Sequence, residues 1–264
     1  MARFPPRPEL RPATLTPLAL TPLMPEFPTS LESAIAQATV ATNAALADGY
    51  TRLQVEILIP ELKPQLVAEQ FLPEFTQFAQ LKLFFPDAGA AALARRDWGD
   101  VPFKIMDIGT GRVPPEVQIQ PEDQAFLFID PSAVEVKQVE KLCQVAQERP
   151  VVMLNPRLED LAIVGVGYAG RQLRDRFLNN IESCYYLRPL EGAAVFRCYP
   201  SPWQVWRETK DDYQLIVELP KKPSGEEVDR IISGAKSSQS ADPPTPNKSG
   251  IFAPLQRFLR SLSG

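Results

Sequence analysis

AFLFIDPSAVEVKQVEKLCQVAQERPVVML, residues 125–154, decides the fold. Its first five residues, Ala125–Ile129, are apolar without alternation, which is how a strand reads when both faces of its sheet are covered. Asp130-Pro131 then has the character of an N-cap and first helical residue, and Pro131–Gln147 carries apolar residues at helical intervals. Val151–Leu154 is a second apolar run. A strand, a helix and a strand joined by short links imply parallel pairing through a right-handed crossover.

The same alternation extends in both directions. Upstream, Thr29-Ser-Leu-Glu32 has capping-box spacing, and Leu31, Ile35, Ala38, Thr42 and Ala45 recur at helical intervals as far as Asp48-Gly49, a stop signal. A strand over Leu53–Ile59 is closed by Pro60, and a helix spans Pro64–Phe78. A strand at Leu81–Phe85, a helix at Ala88–Arg96 and a strand at Phe103–Ile108 follow. Downstream, a strand at Leu161–Val166 leads into a helix at Gly170–Asn180. Beyond residue 182 the helices cease: Cys184–Leu187, Ala194–Tyr199, Gln204–Arg207 and Tyr213–Leu219 have only short links, marked by Gly192, Pro200–Pro202 and Asp211-Asp212. That is an antiparallel meander, which extends the same sheet or packs on its edge. The expected fold class is α/β, a three-layer, mostly parallel, Rossmann-like sheet with a C-terminal antiparallel meander.

Four regions are expected. Residues 1–28 hold eight prolines and predict an extended, disordered arm. Residues 29–232 form a single α/β domain. Residues 233–250, SGAKSSQSADPPTPNKSG, have linker composition. Residues 251–264 predict an amphipathic helix: Ile251, Phe252, Leu255, Phe258, Leu259 and Leu262 share one face, flanked by Arg257 and Arg260.

Composition removes several chemistries. Histidine is absent from the 264 residues, so Ser-His-Asp, Cys-His and His-metal sites are excluded. Three cysteines without a C-x-x-C predict a reducing compartment and neither zinc nor a disulfide framework. Net charge is −4, which argues against nucleic acid as a partner. No apolar run reaches the length of a membrane span. No motif calls for a cofactor or a resident metal.

Candidate sites follow from the expected fold. Ligands of a doubly wound sheet sit beyond the carboxyl ends of its strands, which here offer Asp87, Asp107, Asp130, Asn155 and Arg157. Carboxylates there could hold a hard cation, and Asn155 and Arg157 a phosphate; as single residues, Asp87 and Asp130 read first as helix caps. Gly165-Val-Gly167-Tyr-Ala-Gly170 has the spacing of a dinucleotide-binding turn. It comes late in the chain with a meander behind it, so the expectation is a structural turn or a simple anion site formed by Gly167, Gly170, Arg171 and Arg174. Cys184 would oppose Cys198 if Leu190-Glu191-Gly192 were a three-residue hairpin loop, whereas a shift of one residue separates them.

Several stretches taken together, LESAIAQATVATNAALADGYTRLQVEILIPEL, FFPDAG, FIDPSAVEV, NPRLED and LRDRFLNNIESCYYLRPLEGAAVFRCYPSPWQVW, resemble a domain-of-unknown-function family of cyanobacteria and chloroplasts. That family includes Low PSII Accumulation protein three and a region appended to a plastid adenylate kinase. The resemblance spans roughly residues 29–232. It implies an oxygenic phototroph, a cytoplasmic or stromal place near the thylakoid, and help in photosystem II assembly; it carries over no catalytic residue. The leading expectation is therefore an α/β adaptor or assembly factor, with a protein partner such as photosystem assembly intermediates and peripheral membrane contact through 251–264. The alternative is an enzyme or sensor of a phosphate-containing small molecule at the strand ends.

Overall fold

The computed structural model describes residues 26–75, 77–159, 167–210 and 212–237. Helix α1 (Leu31–Ala47) starts one residue later than the sequence spacing suggests. Ser30 is its N-cap and Ser33 completes a reciprocal capping box, so the pair is Ser30/Ser33 and not Thr29/Glu32. The helix ends at Asp48, and Gly49 takes a left-handed φ of 91°. All five apolar-face positions expected in it are buried.

Strand β1 (Arg52–Ile57) leads to α2 (Pro64–Phe71), which tightens into a 3-10 turn over Leu72–Phe75 where the longer helix was expected. Next come β2 (Leu81–Phe85), α3 (Ala88–Trp98), β3 (Lys104–Asp107), the short α4 (Pro115–Gln118) and β4 (Ala125–Ile129). Helix α5 (Val136–Ala146) is capped at Glu135, not at Asp130. Asp130 has φ 52° and its N–H donates to the Leu154 carbonyl at 2.8 Å, so it turns the chain out of the sheet. The helix waits for a tight turn in which Ser132 N and Oγ donate to Glu135 at 2.9 and 2.6 Å.

After β5 (Val151–Leu154) the expected strand Leu161–Val166 lies outside the described residues, as do Gly165 and the segment 251–264. Helix α6 (Tyr168–Arg176) and a 3-10 turn at Leu178–Asn180 precede β6 (Glu182–Leu190), β7 (Ala193–Cys198), β8 (Trp203–Glu208) and β9 (Tyr213–Leu219). A last helix, α7 (Gly225–Ser237), has no counterpart in the sequence expectations and runs past residue 232.

The described strands form one nine-stranded sheet in the order β3-β2-β4-β5-β1-β6-β7-β8-β9. Pairing is parallel from β3 through β6 and antiparallel from β6 to β9. The meander thus extends the parallel sheet, and β6 belongs to both parts. One face packs against α1, α2 and α3 through Leu53, Val55, Leu83, Leu127 and Leu154. On the other, α5 and α6 cover Phe84, Phe126, Phe128 and Met153, while α7 covers Tyr186, Trp203 and Val205 through Val228.

The β6–β7 loop is the two-residue Glu191-Gly192, with Leu190 opposite Ala193, so Tyr185 and not Cys184 faces Cys198. Gly192 has φ 69°, a left-handed turn conformation that glycine adopts without steric cost. All three cysteines are free and buried. Among the described residues, no helix is long and apolar enough to cross a membrane.

Candidate functional site

Central strand β1 is fully apolar on one face only. Leu53, Val55 and Ile57 pack under α1, whereas Gln54 and Glu56 point to the opposite face. There Gln54 pairs in register with Met153 and Ser183, and Glu56 with Tyr186. The apolar clusters under α5 and α7 stop on either side of these residues. Between them lies a cleft of about 500 Å³ with Gln54 and Glu56 on its floor. Arg157, Glu159, Asn179 and Lys222 supply its polar wall, and Leu158, Leu178 and Ile181 its apolar wall.

Glu56 is 7% exposed. Its carboxylate accepts from Gln54 Nε2 at 3.1 Å, Ser183 Oγ at 3.4 Å and Lys222 Nζ at 3.4 Å. Burial pushes its pKa above the ordinary glutamate value, and the cations Lys222 and Arg188 pull part of the way back. Lys222 lies 4.1 Å from the centroid of the Tyr186 ring and 5.5 Å from that of Trp203, so cation–π attraction holds its ammonium over the sheet while its side chain stays 46% exposed. Arg157 donates through Nε and Nη2 to Asp130 at 3.1 and 2.9 Å, and Glu159 pairs with Arg174. Each charged side chain that lines the cleft among the described residues therefore has an opposite charge beside it, and these four sum to zero.

Of the residues expected at the strand ends, only Arg157 lines this cleft. Asp130 supports it from behind, with a carboxyl raised by burial against the lowering pull of Arg157. Asn155 has φ 48°; its side chain accepts the Ile57 N–H at 2.6 Å and its own N–H donates to Val55 at 2.7 Å. It is a splice between β5 and β1. Asp87 is the N-cap of α3, accepting from Ala90 N at 2.9 Å. Asp107 ends β3, and its carbonyl accepts from Gln118 Nε2 at 2.9 Å. Among the described residues no three acidic or cysteine side chains converge on a metal-sized point. Asp87, Asp107 and Asp130 are thus separate devices.

Gly167 is the N-cap of α6, with an ordinary φ of −72° and open space where a Cβ would sit. Nothing at this position requires glycine for a close approach. Gly170 is buried inside the helix, and Arg174 turns to Glu159. Burial lifts the Cys143 and Cys184 thiols to about 12 and Cys198 to about 11, so none is a nucleophile near neutral pH.

Gln54, Glu56, Asn179 and Lys222 were not among the sequence candidates. A signal for two of them was present: Gln54 and Glu56 alternate with Leu53, Val55 and Ile57 in a strand between parallel neighbours, where an unbroken apolar run is the rule. Such alternation marks a face left uncovered. Lys222 reaches the cleft only through the turn of the chain after β9, which no local pattern encodes.

A family model described as a domain of unknown function, DUF1995, matches residues 28–230. The chain belongs to that family.

Proposed function

We propose that this DUF1995 member works by binding: an α/β adaptor or assembly factor of an oxygenic phototroph that assists photosystem II assembly. It would act on the cytoplasmic face of the thylakoid through protein contacts, with 251–264 as a peripheral membrane contact. The observation that carries a binding role is the cleft over β1, where the middle of the sheet presents paired charges of both signs beside an apolar wall. Mixed charges next to apolar surface are what a polypeptide surface offers and recognises. The resemblance to the cyanobacterial and chloroplast proteins supports the photosynthetic setting. The test is a tagged pull-down from detergent-solubilised thylakoids, with wild type beside the double variant Arg157→Ala/Lys222→Ala. Enrichment of photosystem II assembly intermediates that the variant loses is the expected result. Enrichment of metabolic enzymes instead would overturn the adaptor reading.

A second reading is favoured by the burial of Glu56: a sensor or enzyme for a small molecule in the same cleft. A carboxylate held at 7% exposure in the floor of an open cavity is a costly arrangement that a bound ligand would justify. For the phosphate-containing ligand expected from the strand ends, only Arg157 remains in place, and it already faces Asp130.

A further inference from the structure

We propose that the cleft over β1 recognises a small zwitterion of the amino-acid class, carrying a free ammonium and a free carboxylate. The inference rests on the small-molecule reading of the cleft and is independent of the adaptor role. It follows from counting which hydrogen-bonding groups remain after the protein's own contacts are made. Arg157 spends Nε and Nη2 on Asp130 and keeps its other guanidinium edge on a side chain that is 68% exposed. Lys222 gives one N–H to Glu56 and has two more. These two cations, with the exposed Asn179 amide, are the donors left for a carboxylate. On the acceptor side, among the described residues, Glu56 Oε1 meets Lys222 alone, Glu159 has a second oxygen beyond the one bound by Arg174, and Gln54 retains its carbonyl. These are the acceptors left for an ammonium.

Charge decides among ligand classes. Among the described residues two cations and two carboxylates line one cavity, so a dianion such as phosphate gains from Arg157 and Lys222 but is repelled by Glu56 and Glu159, and a lone cation meets the converse. A molecule with one charge of each sign satisfies both sets and adds no net charge to a partly desolvated site. Leu158, Leu178 and Ile181 offer an apolar wall to its side chain, and about 500 Å³ is within the range of small-molecule sites.

The test is titration calorimetry of the full chain with each protein amino acid singly. For any that binds, its N-acetyl form, its α-amide, a tripeptide ending in it and inorganic phosphate are titrated in the same way. The expected result is that an amino acid binds and that the forms lacking the ammonium or the carboxylate bind about tenfold or more weakly. Phosphate is expected not to compete. The tripeptide, whose free ammonium and carboxylate sit on different residues, tests whether one residue must carry both; it is expected to bind about as weakly as the N-acetyl form, and equal binding would overturn the assignment to a free amino acid. Arg157→Ala should weaken binding and abolish the preference for carboxylate over amide. Glu56→Gln should abolish the preference for ammonium. It should also remove the fall in affinity on acidification that protonating Glu56 causes in wild type, where Lys222, Arg188 and Tyr186 are the titratable neighbours facing it.

Equal binding of the N-acetyl form, or tight binding of phosphate, would overturn the zwitterion assignment while leaving a small-molecule cleft. No binding by any amino acid would overturn it as well, and the pull-down would then decide the adaptor reading separately. Circular dichroism verifies the fold of each variant, and Lys222→Met carries the carboxylate arm if Arg157→Ala fails to fold.

Discussion

Burial works against the charge of Glu56. Its carboxyl is raised from an ordinary value of 4.5 by burial, which outweighs the help of Lys222 and Arg188. A group whose folded pKa exceeds its unfolded value favours folding while protonated, and that contribution is lost as pH rises from 4.5 through the folded value. Near neutral pH the ionised carboxylate is therefore a liability, and Glu56→Gln should melt at a higher temperature than wild type. The gap should close on acidification toward 4.5, because below it both proteins carry a neutral side chain there. Lys222 loses its partner in this variant, but a half-exposed ammonium can hydrate. A lower melting temperature at neutral pH would mean that the ion pair outweighs desolvation. Lys82 and Asp123 are the contrast. Both are almost fully buried, 2.5 Å apart, with further bonds to the Gln118 carbonyl and from the Gln120 N–H. Lys82→Met strands a buried carboxylate and should cost about 3–5 kcal/mol in denaturant titration. Replacing both with apolar residues should cost much less.

The elements divide by whether their signals are local. Asp87 precedes α3 in the sequence and caps it in the fold, because an N-cap is a contact across three residues. Asp87→Ala should cost about 1 kcal/mol in a chemical melt and leave cleft binding unchanged; a loss of ligand affinity would put Asp87 back in the site. Asp130-Pro131 carries the same local signal and is not a cap, because strand β5 and Arg157 take hold of Asp130 from 25 or so residues away. Of the parallel strands, β4 and β5 were legible as unbroken apolar runs, and the meander as short strands with turn residues. Strand order was not, since β5 and β6 flank β1 through contacts about 100 and about 130 residues apart in the chain that leave no periodic trace. The hairpin register came out one residue from the value that would join two thiols. Native protein should accordingly show no fast-reacting thiol near neutral pH and three after unfolding, read by absorbance with a thiol-specific disulfide reagent. A fast-reacting thiol in the folded state would contradict the burial of Cys143, Cys184 and Cys198.

At the scale of the whole molecule, the described lining of the cleft comes from residues 54–222. The cleft sits over the centre of the sheet, whereas α7 packs over the meander and ends at Ser237 on the way to the tail. If 251–264 forms the amphipathic helix that its sequence predicts, its apolar face and two flanking arginines fit a headgroup boundary of anionic lipid, where each arginine near the surface contributes about 1 kcal/mol and salt screens it. If the tail is the membrane contact, deleting 251–264 should sharply lower co-sedimentation with phosphatidylglycerol-containing vesicles or thylakoids. The charge reversal Arg257→Glu/Arg260→Glu should lower it on anionic vesicles and much less on zwitterionic ones, and added salt should mimic the reversal. Calorimetry of the cleft should be unchanged by either alteration, because among the described residues the cleft lining ends at Lys222. Sedimentation that survives the deletion would transfer membrane contact to the domain itself, and amino-acid binding that fails with it would tie the tail to the cleft.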